Sequence, residues 1–141
     1  MPIYQTADEF IGVLGQVANL VKSSDAAKSL HEAGLVVAFV YHHPHVTVLM
    51  DGRTPTQDGS YMTMTFHQDS PPADVSFESS SDVGHQFWSG HLDVPNALAR
   101  GQVKAKGAIT KALKLIPLLP PLYAAYNQVR QEKDPSKSIG D

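Results

Sequence analysis

Seven histidines in 141 residues are the side chains with the widest chemical reach, and three of them crowd into His42-His43-Pro44-His45. A zinc site needs three or four ligands converging at about 2 Å. In a continuing strand His42 and His43 point to opposite faces, so this segment brings two imidazoles together at most. It reads as a polar hairpin tip, and no metal is expected. The run Ser79-Ser80-Ser81-Asp82 lacks the Gly-x-Ser-x-Gly elbow of a serine hydrolase and reads as a helix cap. There is no cysteine, which removes thiolate nucleophiles, thiolate metal sites and disulfides together. Neither a Gly-x-Gly-x-x-Gly loop nor a Walker loop occurs, so no phosphate-bearing cofactor is called for. The chain reads as a non-enzyme without cofactors.

The chemistry left over is that of soft apolar surface. Phe39, Met50, Met62, Met64, Phe66 and Phe77 fall on inward positions of strand-like segments. Phe87, Trp88, Leu113, Ile116, Leu119, Leu122, Tyr123 and Tyr126 join them from helix-like segments. Three methionines on one sheet face are the telling part, because thioethers are flexible and polarizable and adapt to ligands of varied shape. The same inventory also suits an ordinary packed core, and spacing alone does not separate the two.

The elements that must position these residues follow from periodicity. Thr6-Ala7-Asp8-Glu9 is a capping box, followed by one helical face of Phe10, Val13, Leu14, Val17, Leu20 and Val21. Ser23 or Ser24 caps a second helix that ends at Gly34. Leu35 to His42 is almost continuously apolar, as in a strand buried on both faces. His45 to Asp51 and Tyr61 to His67 alternate, with Val46, Val48, Met50, Met62, Met64 and Phe66 inward and the threonines outward. After Ser70-Pro71-Pro72, Ala73 to Glu78 is a fourth strand, and Gln102 to Lys106 a fifth with Val103 and Ala105 inward. Short helices run from the serine cluster to Gly90 and from Asp93 to about Gly101. A helix carrying Ile109, Leu113 and Ile116 is stopped by Pro117, and a last one runs from Pro120-Pro121 to about Glu132. The expected architecture is α+β: a five-stranded, mostly antiparallel sheet with helices packed on one face. Residues 1–132 form a single domain, and 133–141 are expected to be a polar, disordered tail.

Three prolines break the apolar stretch Lys114 to Tyr123. Such a segment makes an awkward core helix and suits a hinged lid. Net charge is −3, yet no acidic residue occurs between Val94 and Gln131, where Arg100, Lys104, Lys106, Lys111, Lys114 and Arg130 stand. Arg100, Lys104, Lys106, Lys111 and Lys114 are therefore expected to form a face for an anionic membrane or a partner enzyme. Nucleic acid is not an expected partner, since the overall charge is negative. No run reaches the roughly 20 apolar residues of a membrane span, and the first residues lack a signal-peptide pattern. A cytoplasmic protein is expected.

The stretch Ala73 to Leu119 resembles the sterol carrier protein 2 family, the non-specific lipid-transfer domain. The resemblance is carried by Phe87, Gly90, Leu92, Asp93, Ala97, Leu98, Gly101, Val103, Gly107, Leu113 and Leu115. His91, Gln102 and Ala108 depart from the family pattern at surface-type positions and leave its apolar pattern intact. The resemblance implies a hydrophobic tunnel between the sheet and its helices, carriage of a fatty acid, acyl-CoA, sterol or phospholipid, and no catalytic residues. The alternative is a non-catalytic accessory subunit that presents a lipid-like substrate to a partner enzyme.

Overall fold

The computed structural model describes residues 3–133. Helix α1 (Ala7–Val21) starts at the expected box: extended Thr6 accepts from the Glu9 N–H, and the Glu9 carboxylate accepts from the Thr6 N–H, both at 3.2 Å. Phe10, Val13, Leu14, Val17 and Val21 are buried, whereas Leu20 is 56% exposed. At 3.6 residues per turn Leu20 lies about 80° off the centre of that stripe, so it corrects the expectation that it belongs to the buried face. Helix α2 (Asp25–Ala33) is capped by Ser24 and ends at Gly34, whose φ of 63° is the left-handed C-terminal geometry.

Strands β1 (Val36–His42), β2 (Val46–Asp51), β3 (Thr63–His67), β4 (Val75–Ser80) and β5 (Lys104–Gly107) form one sheet in the order β3-β2-β1-β4-β5. Only the β1–β4 pairing is parallel. The register aligns Val37, Phe39 and Tyr41 of β1 with Met50, Val48 and Val46 on one side and with Val75, Phe77 and Ser79 on the other. These residues share one face, because successive side chains alternate. That face carries the helical layer: α1 and α2, then α3 (Ser81–Ser89), α4 (Val94–Ala99), α5 (Ile109–Leu113) and α6 (Pro120–Lys133). The fold class is α+β, as the alternation predicts.

On the far face β1 is buried, as its continuous apolar run predicts, and β2 is less polar there than its alternation predicts. Val36, Ala38 and Thr47 on this face are buried, with Thr47 wholly inaccessible and its Oγ1 lacking a partner among the described residues. Residues 68–74 must return over β2 and β1 to connect β3 with β4, and that crossing accounts for the cover. It is tied down at both ends. His45 Nε2 lies 2.9 Å from the Gln68 carbonyl, the Asp74 N–H donates to the Val36 carbonyl at 2.9 Å, and the Val36 N–H returns a 2.8 Å bond to the Asp74 carboxylate.

The segment after β5 differs from the single helix expected there. Helix α5 stops at Leu113 with none of its residues fully buried, and a separate 3-10 turn covers Ile116–Leu118. Pro117 sits in that turn, and Pro120 and Pro121 open α6, where a missing N–H costs nothing. Lys133 still belongs to α6, and the remainder of the expected tail, 134–141, lies outside the described residues. Among the described residues no helix is long and apolar enough to cross a membrane.

Gly107 closes β5 against the start of β4. Its φ is 94°, and a Cβ there would lie 2.2 Å from the Asp74 carbonyl oxygen, which is backbone and cannot swing aside. Gly107→Ala is therefore expected to cost more than about 2 kcal/mol of unfolding free energy in urea titration. A loss below about 0.5 kcal/mol would mean that the β4–β5 corner relaxes freely.

Candidate ligand-binding site

An apolar cavity of about 90 Å³ lies between the inner face of the sheet and the helices. Its floor is Val37, Phe39 and Tyr41 of β1 with Met50 of β2 and Phe77 and Ser79 of β4. From Val37 to Tyr41 the floor residues span four residues of one strand, about 13 Å. Ala26, Ala27 and Leu30 of α2 and Met62, just before β3, close one end. Val83, Gly84, Phe87 and Trp88 of α3 close the other. The roof is the proline-broken stretch: Ala112, Leu113, Leu115, Ile116, Leu119 and Leu122. Among the described residues no Asp, Glu, Lys, Arg or His lines the wall.

Aromatic contacts order the α3 end. Phe39 sits at the centre of four rings, with centroids 6.2 Å from Tyr41, 5.8 Å from Phe77, 5.6 Å from Phe87 and 5.7 Å from Trp88. Trp88 is fully buried, and its indole N–H donates to the Tyr41 hydroxyl at 3.0 Å. Tyr41 lies against the backbone of α3: a Cβ on Gly84 would come within 2.5 Å of its ring. Burial pushes the Tyr41 phenol well above the ordinary tyrosine value, against the smaller opposing pull of the Trp88 bond.

Ten of the fourteen residues named from sequence line the cavity: Phe39, Met50, Met62, Phe77, Phe87, Trp88, Leu113, Ile116, Leu119 and Leu122. Four are placed elsewhere. Met64 and Phe66 are half-buried on edge strand β3, beside Met50 and Val48, and Met64 borders a second, more polar groove of about 540 Å³ between α1 and residues 55–60. Tyr123 packs on Gly90 and meets Phe87 edge to face at 6.2 Å. Tyr126 is wholly buried, its hydroxyl 2.6 Å from that of Tyr4 and 2.8 Å from His85 Nδ1. That chain of polar groups fastens the N-terminal segment and α3 to α6, behind the cavity. The pattern missed Tyr41, Gly84 and the α2 residues Ala26, Ala27 and Leu30. Gly84 carried a usable signal, since glycine within a helix costs about 1 kcal/mol and marks a close approach.

The basic residues are distributed differently in space from their run in sequence. Arg100, Lys104, Lys106, Lys111 and Lys114 are all exposed. Lys104 and Lys106 stand opposite Glu78 and Ser76 across the β4–β5 pairing. The Glu78 carboxyl is held below its ordinary range, first by His42, whose Nε2 is 2.6 Å away, and further by these two lysines. Asp74, held low chiefly by Arg53, also feels Lys111. Arg130 is only 8% exposed, with its guanidinium 5.8 Å from the Tyr4 ring centroid, so it does not extend the face. The histidine tip forms no cluster of three ligating groups among the described residues. His42 and His45 stack at 5.8 Å, with His42 turned to Glu78 and His45 to the Gln68 carbonyl. Of the serine run, Ser80 caps α3 and Ser81 donates to the His43 carbonyl at 2.6 Å.

The sequence matches no family profile and no curated relative. Solved structures do match. Sterol carrier protein 2 from Yarrowia lipolytica, in its apo form, superposes with a TM-score of 0.59 at 18% identity, over 81% of this chain and 89% of that one. The chain has the sterol carrier protein 2 fold. A UbiJ-SCP2 ubiquinone synthesis protein matches over 96% of this chain and 99% of its own, with a TM-score of 0.51 and 14% identity. Part of a larger protein matches as well: the sec-alkylsulfatase Pisa1 from Pseudomonas sp. superposes over 71% of this chain, with a TM-score of 0.54 and 22% identity, and this chain spans 15% of that one. In this chain the inner face of that fold borders the cavity, with the proline-broken stretch laid over it.

Met62, 1% exposed, is a tight part of the wall. Met62→Ala should cost about 2–4 kcal/mol of stability in urea titration, the range for opening a space in a core that cannot fully close. A loss under about 1 kcal/mol would show that the wall collapses into the gap.

Proposed function

We propose that this chain is a cytoplasmic, non-catalytic carrier that shields an apolar molecule such as a fatty acyl chain, sterol or phospholipid from water. The observation that carries the reading is the cavity itself, walled by aliphatic, aromatic and methionine side chains and, among the described residues, free of charged groups. Affinity then comes from burial at roughly 25 cal/mol per Å² of apolar surface. Among the described residues the wall holds the hydroxyls of Ser24, Tyr41 and Ser79 but no acid, base or metal-ligating cluster to activate them, which suits binding rather than catalysis.

The cavity as it stands is small. About 90 Å³ falls below the roughly 300 Å³ at which pockets for drug-sized molecules begin. It is also below the about 150 Å³ of an engineered cavity that admits benzene. A long acyl chain therefore enters by displacing part of the wall. The roof is the candidate: α5 has no fully buried residue, and prolines interrupt hydrogen bonding on either side of Leu118. In this reading residues 113–122 swing as a lid, and the space under them lengthens into a tunnel.

A second reading has its own support. The likeness to the UbiJ-SCP2 protein runs almost end to end in both chains, and that protein's name ties it to ubiquinone synthesis. An accessory role follows for this chain: it holds a lipid-like substrate for a partner enzyme, with the exposed Arg100, Lys104, Lys106, Lys111 and Lys114 as the contact face. The carrier and accessory readings share the cavity and differ in where the cargo is delivered.

Native mass spectrometry of the purified protein should detect a co-purifying apolar molecule, and a fluorescent fatty acid should bind at micromolar concentration and alter the emission of Trp88, the only tryptophan. Absence of both signals at tens of micromolar would overturn the carrier reading. Transfer from anionic vesicles should slow as salt rises from 0.1 to 0.5 M, because the attraction decays over a Debye length of roughly 10 Å or less. Lys111→Glu with Lys114→Glu should slow it severalfold at unchanged ligand affinity, each charge near such a surface being worth about 1 kcal/mol. Transfer indifferent to both changes would favour delivery by protein contact.

A further inference from the structure

Four side chains in the cavity wall carry polar atoms: Ser24, Tyr41, Ser79 and Trp88. Their hydrogen bonds divide them. The Ser79 hydroxyl donates to the Ser80 carbonyl at 3.0 Å, and the Trp88 indole N–H donates to Tyr41. Ser24 accepts from the Ala27 N–H and is half-exposed at the start of α2. Tyr41 is 2% exposed, and the one hydrogen bond at its hydroxyl is the one it accepts. Its own O–H has no acceptor among the described residues. A buried donor without an acceptor is costly to a fold, and Tyr41 is one of the residues lining the apolar cavity, paired in register with Ser79 across β1–β4.

We propose that Tyr41 is a specificity-determining residue, and that its phenol donates to the oxygen of an uncharged apolar ligand inserted head first. This rests on the carrier reading and narrows it. The class of ligand is one with a hydroxyl or carbonyl oxygen at one end: a long-chain alcohol, a ketone or quinone, a sterol. An ionised carboxylate is disfavoured at that end, since no cation lines the wall and an unpaired buried charge is expensive. Burial keeps the phenol protonated throughout the physiological range, so the donor is always present. The site is also rigid. Gly84 lets the ring rest on the helix backbone, Phe39 and Phe10 flank it at 6.2 and 5.1 Å, and Trp88 fixes the hydroxyl oxygen.

Calorimetric titration at pH 7 with octane, 1-octanol and octanoate tests this. In the natural protein 1-octanol is expected to bind at least tenfold more tightly than octanoate. The ratio of octanol affinity to octane affinity should fall about tenfold in Tyr41→Phe, while octane binding holds or improves. Because Tyr41→Phe also strands the Trp88 N–H, a Tyr41→Phe, Trp88→Phe pair removes both partners and serves if the single variant folds poorly. An octanol-to-octane ratio unchanged by either variant, or octanoate binding as tight as octanol, overturns the inference and leaves the carrier reading standing. Failure of all three probes to bind overturns both.

Discussion

The contact between Tyr41 and Gly84 fixes the distance between the two layers at one end of the molecule. A methyl group on Gly84 would overlap the Tyr41 ring, so the helix rides as close to the sheet as a phenol ring allows. Trp88, one turn further along, is locked to the same hydroxyl. A matching contact holds the opposite end. Gly52, after β2, leaves room for Leu30 of α2, where a Cβ would lie 2.8–2.9 Å from its atoms. The Leu35 N–H returns to the Leu30 carbonyl at 3.2 Å, and Gly52 donates to the Leu35 carbonyl at 2.9 Å. Between these two fastened ends the layer over the sheet is the irregular stretch from α5 to the start of α6. The cavity lies beneath it because no long helix bridges the gap.

Much of this was legible from periodicity and caps. The Thr6 box, the Gly34 and Gly90 stops, the Asp93 cap and all five strands have local chemical causes, and local causes can be read along a chain. What was hidden depends on through-space partners. Leu35 to His42 reads as one apolar run, so nothing in it distinguishes Tyr41, whose hydroxyl matters, from Val40, which merely packs. Thr47 has the sequence of a solvent-facing residue and is buried because a return connection happens to cross it. Tyr126 and Tyr123 have the same composition and helical neighbourhood as true lining residues, but a quarter-turn on α6 assigns one to a polar network and the other to Gly90.

Charge illustrates the same limit. An acid-free stretch of sequence suggested a uniformly basic face, yet β5 is hydrogen-bonded to β4, which brings Glu78 to Lys104 and Lys106, and the turn at Gly107 brings Asp74 towards Lys111. Strand pairing mixes distant segments, and so it mixes their charges. Lys114 and Arg100 retain the character that the run of sequence gave them, and Lys114 borders the roof of the cavity. The uncompensated part of the basic run is thus narrower than the sequence implies.

The small volume of the cavity has an energetic cause. An apolar void destabilises a fold by roughly 24 cal/mol per Å³, so a space of about 90 Å³ costs on the order of 2 kcal/mol. One of about 300 Å³, the lower end for a ligand pocket, would cost about 7 kcal/mol if kept open and empty. That is comparable with the whole stability of a domain of this size, some 5–15 kcal/mol. A carrier whose wall were rigid at full width would be close to unfolding whenever it had released its cargo. Under the proposed carrier reading, a roof of short, proline-separated pieces would avoid this, contracting onto the sheet when the space is empty and giving way when a ligand supplies the missing contacts. The two ends of the layer, held by ring and backbone against glycine, do not share in that movement. On that reading the irregular stretch in the helical layer is what would let one fold be stable both with and without a guest.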